Sequence, residues 1–291
     1  MFPRHSEAAP PVRAGRHGGL DAVRLAAALL VFVAHVGLAV GDNGRWLHVS
    51  GFVGVLLFFM LSGYLIPTVY ARGGPYFRRR LLRIWPAYWF AVVGLALLTG
   101  YPLDLRTLLM LQPIDVREFD VFLGVAWTLR LELVFYLLVP ALALVPTRWV
   151  VGTGAASLVL YLLTADAQLR AEFPWRFWMF VPGVLLARYG LPSFLRRPVP
   201  RVVTYGAAIS YGIYLWHHEI LRWVRDLGLG PVEIAAGGAA LTFAAATISW
   251  CFVERPALGN HSAISDRTTV ETPVPWRARL GRYRVQAHER P

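Results

Sequence analysis

The chain has 291 residues, of which 56% are hydrophobic and only 16% charged, whereas soluble domains average about 45–50% apolar and about 25% charged residues. Its formal net charge is +12, and all 29 basic residues are arginines. The single cysteine, Cys251, excludes an intrachain disulfide and a cysteine-cluster metal site. These values exclude an ordinary soluble domain, a disordered chain, a coiled coil and a disulfide scaffold, and they indicate a membrane protein.

The apolar residues occur in long blocks, and a membrane-spanning helix needs about 20 mostly apolar residues. The sequence therefore predicts an all-α, polytopic transmembrane helix bundle with about eight spans. Arg24 and His35 interrupt the first block, which argues against a cleavable signal peptide. The predicted spans are residues 20–40, 51–70, 84–101, 122–145, 149–164, 173–189, 202–224 and 232–253.

The arginine distribution predicts the orientation of these spans. With the N-terminus in the cytoplasm, 20 of the 29 arginines fall in inner segments and six in outer loops. Both termini are thus expected to be cytoplasmic, in a multi-pass protein of the cytoplasmic membrane. The predicted organisation is an N-terminal tail over residues 1–19, a transmembrane domain over 20–256, and an Arg-rich polar tail over 257–291 that is disordered or lies on the membrane surface.

The first span carries three ionisable residues, Asp21, Arg24 and His35. Such groups cost about 2.5–3.5 kcal/mol each at membrane depth, so each is a candidate functional residue. Arg24 and His35 are eleven residues apart in the sequence, which places them on one stripe of a helix about 16 Å apart along its axis. Asp21 can pair with Arg24 one turn away. The alternative is a snorkelling Arg24 and a structural His35.

The second span and the loop after it carry a second group of candidates. Ser62 precedes Gly63 in an apolar helix, where small residues permit close helix packing or serve a site. Arg80 and Arg83 are three residues apart and share a helix face. They are either a positively charged inner anchor or a clamp for phosphate, which guanidinium groups bind through two hydrogen bonds.

Two later spans carry polar stripes at helical spacing. A carboxylate inside a span is expensive and therefore favours a functional role for Glu132. The stripe in the seventh span is equally typical of an interfacial aromatic belt with hydrogen-bonded histidines. The stripes consist of Thr128, Glu132 and Tyr136 in the fourth span, next to Trp127 and Arg130, and of Ser210, Tyr214 and His217 in the seventh.

Six motifs in this order resemble those of membrane acyltransferase family 3. Arg24 with His35 resembles the Arg-(ten residues)-His pattern of its first helix. The other five are Phe-Phe-x-x-Ser-Gly at 58–63, Arg-x-x-Arg at 80–83 with Trp-Pro-Ala-Tyr at 85–88, Trp-Thr-Leu-x-x-Glu-x-x-Phe-Tyr at 127–136, Ser-Tyr-x-x-Tyr-Leu-x-His at 210–217, and Glu-Arg-Pro at 254–256.

The resemblance implies a polytopic O-acyltransferase over residues 20–256 that moves an acyl group, often acetyl, from cytoplasmic acyl-CoA to a hydroxyl. The acceptor would be a sugar, a glycan or a small molecule, as in bacterial O-acetylation and polysaccharide modification. The expected partners are acyl-CoA, this acceptor and membrane lipid, with no metal and no nucleic acid. Family members usually have about ten helices, whereas this sequence predicts eight, because only residues 192–201 separate the sixth span from Ser210.

Acyl transfer to an alcohol needs a base or nucleophile, donors for an oxyanion, and cations for the phosphates of the acyl-CoA. His35 is the predicted base or nucleophile, because imidazole titrates near neutral pH. Glu132 is the second predicted catalytic residue and could orient His35, stabilise its charged form or receive the proton of the acceptor. The predicted oxyanion or acceptor contacts are Ser62, Tyr214, His217 and Trp127, and the predicted acyl-CoA-binding residues are Arg24, Arg80 and Arg83.

Two other classes of function compete with this interpretation. In a transporter or flippase, Arg24, His35 and Glu132 would line a substrate or proton path. No inverted repeat is visible in the sequence, which argues against that class. The second alternative is an inactive, shortened family member that acts as a scaffold.

Overall fold

A computed structural model of the protein describes residues 17–42, 44–71, 73, 75–111, 122–166, 169–170 and 173–259. Most of the two predicted tails, residues 1–16 and 260–291, lies outside this part of the chain. All regular secondary structure within the described residues is helical, which confirms the all-α prediction.

The long helices agree well with the predicted spans, and short helical segments connect some of them. The α-helices are α1 (Gly18–Ala39), α2 (Arg45–Ala71), α3 (Tyr76–Thr99), α4 (Leu105–Leu108), α5 (Ala126–Leu144), α6 (Thr147–Leu163), α7 (Phe173–Arg176), α8 (Val181–Tyr189), α9 (Arg201–Asp226), α10 (Pro231–Ser249) and α11 (Arg255–Leu258). Phe177–Met179 and Ser193–Arg196 form 3-10 turns, and a π-helical turn at Trp250–Glu254 joins α10 to α11.

Five helical segments are long and apolar enough to cross a membrane, namely α1, α2, α3, α5 and the continuous segment Pro231–Leu258. Helix α6 is apolar but only 17 residues long. Helix α9 has 26 residues but is not among the five segments, because its polar and ionisable residues make it less apolar than they are. His217, His218 and Glu219 of this helix are buried against other helices. The predicted total of eight spans and the predicted orientation stay predictions.

The predicted sixth span, 173–189, is not one continuous helix. It consists of α7, the 3-10 turn Phe177–Met179 and α8. Pro182 stands in the first turn of α8, where its missing N–H leaves no helical hydrogen bond unmade. A proline at that position favours the start of a new helix over continuation of the preceding one.

Helix α9 is the most extensively buried helix of the bundle. It packs against α1 and α10, while α1 also packs against α2, and α2 against α8. Glycines permit the closest of these approaches. A methyl group on Gly63 would collide with the carbonyl oxygen of Phe180, and one on Gly183 would collide with that of Met60. The close contact between α2 and α8 holds the segment that carries Ser62 in place.

Candidate active site

A cavity of about 110 Å³ opens among α1, α2, α3, α5 and α9. We call it the Arg-lined cavity. Its wall brings together side chains that are far apart in the sequence, as the motif spacing led us to expect. Six of the nine predicted site residues line it, namely Arg24, Ser62, Arg80, Arg83, Glu132 and Tyr214.

The three arginines of the cavity are half-buried and come from two helices. Arg24 lies 3.8 Å from the carboxylate of Asp21, which confirms the predicted pairing. The guanidinium group of Arg80 stacks on Tyr136 and that of Arg83 on Tyr211, each at 5.7 Å from the ring centroid. Three guanidinium groups face a cavity whose lining contains one carboxylate, so its wall is suited to an anion.

That carboxylate belongs to Glu132, which forms a small hydrogen-bonded network. Its Oε1 accepts hydrogen bonds from the hydroxyls of Ser62 at 3.1 Å and of Tyr136 at 2.7 Å. Thr128, one turn before Glu132, also lines the cavity. The predicted polar stripe of the fourth span is therefore confirmed as one face of α5 that borders the cavity.

Tyr214 closes the cavity on the side of α9. Its hydroxyl lies 2.6 Å from that of Thr128 and donates to the carbonyl oxygen of Val125 at 3.2 Å. The hydroxyl of Ser62 likewise has an acceptor, Glu132. To donate to an oxyanion, as predicted, either hydroxyl would have to exchange its present partner for the reacting oxygen.

A second group of polar side chains, which we call the histidine cluster, consists of His35, His217 and His218. The ring centroid of His35 lies 4.8 Å from that of His217 and 5.3 Å from that of His218. None of the three is part of the cavity lining. Arg24 and His35 thus share α1, as predicted, but the first lines the Arg-lined cavity and the second packs in the histidine cluster.

Backbone contacts define which nitrogen of two of these rings carries the proton. The Nδ1 atom of His35 lies 2.8 Å from the carbonyl oxygen of Val31. That of His217 lies 3.0 Å from the carbonyl oxygens of both Ile213 and Tyr214. Because a carbonyl oxygen only accepts hydrogen bonds, Nδ1 carries the proton in each neutral ring and the lone pair resides on Nε2. The Nε2 atom of His217 is buried without a hydrogen-bond partner.

Tyr214 lies between the two regions. Its hydroxyl end lines the Arg-lined cavity, and its ring centroid lies 5.9 Å from that of His217. Ser210, Tyr214 and His217 share one face of α9, as predicted, but only the first two reach the cavity.

Trp127, the remaining predicted site residue, lies outside the cavity lining. The guanidinium group of Arg176 stacks on its ring at 4.6 Å from the centroid, and Phe59 packs against it in an edge-to-face arrangement. Arg176 was not among the predicted site residues, although an arginine inside an apolar segment is itself a signal for a functional or structural partner.

Sequence reasoning also missed a buried ionic group beside the histidine cluster. Glu219 is fully buried, and its carboxylate contacts the N–H of Leu123, the imidazole of His218 and the guanidinium group of Arg222. The signal was present in the sequence, because three consecutive ionisable residues at 217–219 are unusual inside an apolar helix. Among the described residues, no three His, Cys, Asp or Glu side chains form a group that could hold a metal ion.

The fold and the polar interior define a helical membrane protein with a cavity lined by three arginines. The family model described as "Acyltransferase domain", that of acyltransferase family 3, matches residues 17–199. The chain therefore belongs to acyltransferase family 3, as predicted, and is an acyltransferase that transfers groups other than aminoacyl groups. The matched region contains seven of the nine predicted site residues, all except Tyr214 and His217.

The chain is also similar to an individual protein, and this similarity covers more of the chain than the family model does. Nodulation protein 10 of Rhizobium leguminosarum bv. viciae is 26% identical over 349 aligned positions, which cover 84% of this chain and 94% of the relative. The alignment is longer than the 291-residue chain, so the relative contains segments that have no counterpart here. No solved structure matches the chain.

Proposed function

We propose that the protein is an integral-membrane O-acyltransferase that moves an acyl group, most simply acetyl, from cytoplasmic acyl-CoA to a hydroxyl of a sugar, glycan or small molecule. The observation that carries this proposal is the Arg-lined cavity, whose lining contains three arginines and a single carboxylate. A bacterial O-acetylation of a polysaccharide at the cytoplasmic membrane is the setting that this chemistry fits best.

The donor site is proposed to be the arginine side of the cavity. Coenzyme A carries several phosphate oxygens, and arginine binds such groups through two parallel charge-assisted hydrogen bonds. Arg80 and Arg83 would bind these phosphates, with Arg24 nearer the reacting end of the donor. The cavity holds only part of a ligand of this size, so the nucleotide would remain outside the bundle.

The transfer step is proposed to use the lone pair on Nε2 of His35, which the acyl end of the donor would reach by extending from the Arg-lined cavity past Tyr214 to the histidine cluster. His35 takes the proton of the acceptor hydroxyl while the hydroxyl oxygen attacks the thioester carbonyl carbon. The tetrahedral intermediate then collapses, the carbon–sulfur bond breaks, and the departing thiolate receives the proton from the His35 imidazolium. Glu132 would tune the charge of the cavity that the acyl end of the donor crosses, and Ser62 and Tyr214, which line that cavity, are the proposed hydroxyl donors for the oxyanion.

The acceptor is proposed to bind beside His217. The unpartnered Nε2 atom of that ring is an acceptor and not a donor in the neutral form, so a substrate hydroxyl satisfies it better than an oxyanion does. An acceptor with several hydroxyls, such as a sugar, can donate to His217 with one group while another reacts at His35.

The experiment uses purified protein in lipid nanodiscs with radiolabelled acetyl-CoA and a panel of sugars and oligosaccharides. Label transferred to a hydroxyl, together with one equivalent of released CoA, supports the proposal. Binding of acetyl-CoA without transfer to any acceptor favours the scaffold alternative. Proton-coupled substrate uptake in proteoliposomes without any acyl-CoA binding would establish the transporter alternative.

A further inference from the structure

The carboxylate of Glu219 is the most enclosed ionisable group beside the histidine cluster. Its residue has 0% relative exposure, and it belongs to the interior face of α9. No role was assigned to Glu219 from the sequence. A buried carboxylate carries a substantial desolvation cost, so each of its partners must contribute to keeping it there.

Three groups compensate this cost. Oε1 accepts a hydrogen bond from the N–H of Leu123 at 2.7 Å and lies 3.0 Å from Nδ1 of His218. Oε2 lies 2.6 Å from the guanidinium group of Arg222, one turn further along α9. Arg222 is a permanent cation, so this contact is an ion pair.

An ionised carboxylate only accepts hydrogen bonds, so Nδ1 of His218 must donate to it. This contact assigns the proton of neutral His218 to Nδ1 and fixes the orientation of its ring. The ring of His218 in turn packs edge-on against that of His35, with centroids 5.3 Å apart and an interplanar angle of 77°. The chain of contacts therefore runs from Arg222 through Glu219 and His218 to His35.

We propose that Glu219 is a positioning residue that acts through His218 to hold the His35 imidazole in its reactive orientation. The inference rests on the proposed function, because His35 is the proposed base. Glu219 touches neither donor nor acceptor in this account, and its effect is on the transfer step and not on acyl-CoA binding.

A purely structural role for Glu219 is the competing explanation. Leu123 has a left-handed backbone conformation with φ of 52°, and its N–H is held by Glu219. Loss of that hydrogen bond would disturb the turn that leads into α5. In Glu219→Gln, the amide oxygen in the place of Oε1 still accepts from Leu123, so the turn keeps its hydrogen bond. The same oxygen is a weaker acceptor for Nδ1 of His218 than the carboxylate is, because it carries no charge, and the amide loses the ion pair of Oε2 with Arg222.

The test compares Glu219→Gln with the wild-type protein and with Glu233→Gln, a matched control on the exposed first turn of α10. In nanodiscs, kcat of Glu219→Gln is expected to fall about tenfold with the KM for acetyl-CoA unchanged, and the thermal midpoint is expected to fall because Arg222 loses its ion pair. The ¹⁵N NMR signals of His218, identified by their loss in His218→Gln, are expected to change from the Nδ1-protonated tautomer to a mixture of both tautomers. Glu233→Gln is expected to match wild type in every measurement.

The inference is overturned if Glu219→Gln keeps wild-type kcat, if His218 keeps one tautomer in the variant, or if the KM for acetyl-CoA changes as much as kcat does. Absence of acyl transfer in the wild-type protein would instead contradict the proposed function. The NMR measurement does not depend on turnover, so the two failures are distinguishable.

Discussion

The Arg-lined cavity and the histidine cluster differ in how far their ionisable side chains are buried and in what these side chains contact. In the cavity, half-buried guanidinium groups stack on tyrosine rings and face open volume, so their charge is available to a ligand. In the cluster, the imidazoles of His217 and His218 are almost fully buried, and Nδ1 of each of the three rings contacts a fixed acceptor. The first arrangement suits binding of an anion, whereas the second suits transfer of a proton at the opposite ring nitrogen. Helix α1 contributes to both, through Arg24 and His35.

Removal of the His35 imidazole is expected to have the largest effect, and it tests whether the histidine cluster acts in the transfer step. His35→Ala is expected to lower kcat by about 100-fold or more, because general bases contribute about 10²–10⁴ in rate. The dissociation constant for acetyl-CoA should stay within about twofold of wild type, since His35 is outside the cavity lining. His48→Ala, which changes an exposed histidine on α2, is the matched control and should behave as wild type. Retention of full turnover by His35→Ala would remove its proposed role.

The next largest effect is expected at the donor site. Arg80→Ala/Arg83→Ala should raise the KM for acetyl-CoA by about 10–100-fold, because each charge-assisted hydrogen bond contributes about 1.5–3 kcal/mol and solvent access reduces that value. The double variant Arg78→Ala/Arg79→Ala removes the same charge from the exposed face of α3 and serves as the control. Steady-state kinetics over a range of acetyl-CoA concentrations measure both. An equal increase in KM for the two double variants would indicate a general effect of positive charge rather than a built site.

A substitution of Glu132 tests whether its charge affects the transfer step, donor binding or both. Glu132→Gln keeps an acceptor for Ser62 and Tyr136 but removes the negative charge from the cavity. We expect kcat to fall about tenfold while acetyl-CoA binding is unchanged or tighter, because one repulsive charge near the phosphates is lost. Isothermal titration and turnover assays on the same preparation check this. Weaker donor binding in Glu132→Gln would contradict the assignment of the cavity to an anion.

The smallest effect on catalysis is expected from the packing of α2 on α8. In Gly63→Ala, the added methyl group meets the backbone carbonyl of Phe180, and overpacking of this kind costs about 1–3 kcal/mol. The thermal midpoint in detergent should fall, while kcat at a permissive temperature should fall less than in the variants above, because the methyl group displaces Ser62 only through the backbone. Gly152→Ala is the control, because no atom lies within 4 Å of its added methyl group, and replacement of a helical glycine by alanine is mildly stabilising. Equal thermal midpoints for the two variants would show that the helix contact tolerates the methyl group.

The sequence predicted the motif-bearing helices well, because each is a long apolar block interrupted by a few polar residues at helical spacing. The Glu132 stripe and the Asp21–Arg24 pair follow from that spacing alone. The break within 173–189 was missed, although Pro182 in the sequence marks where α8 begins.

The separation of His35 from the Arg-lined cavity could not be read from periodicity. Two residues on one stripe of a helix can face different neighbours at its two ends, and only the packing of α9 against α1 decides which. The contact of Glu219 with Leu123 could not be predicted either, because the two residues are 96 positions apart in the chain.

The central claim is that the Arg-lined cavity binds the donor and the histidine cluster transfers the proton. The most direct test is a side-by-side measurement of acetyl-CoA affinity and CoA release for wild type, His35→Ala and Arg80→Ala/Arg83→Ala in nanodiscs. We predict that His35→Ala binds acetyl-CoA normally and releases CoA about 100-fold or more slowly, whereas the arginine variant binds weakly and recovers turnover at high donor concentration. Loss of acetyl-CoA affinity in both variants, or loss of CoA release at saturating donor in both, would contradict this claim. Absence of acetyl-CoA binding by the wild-type protein would also contradict it.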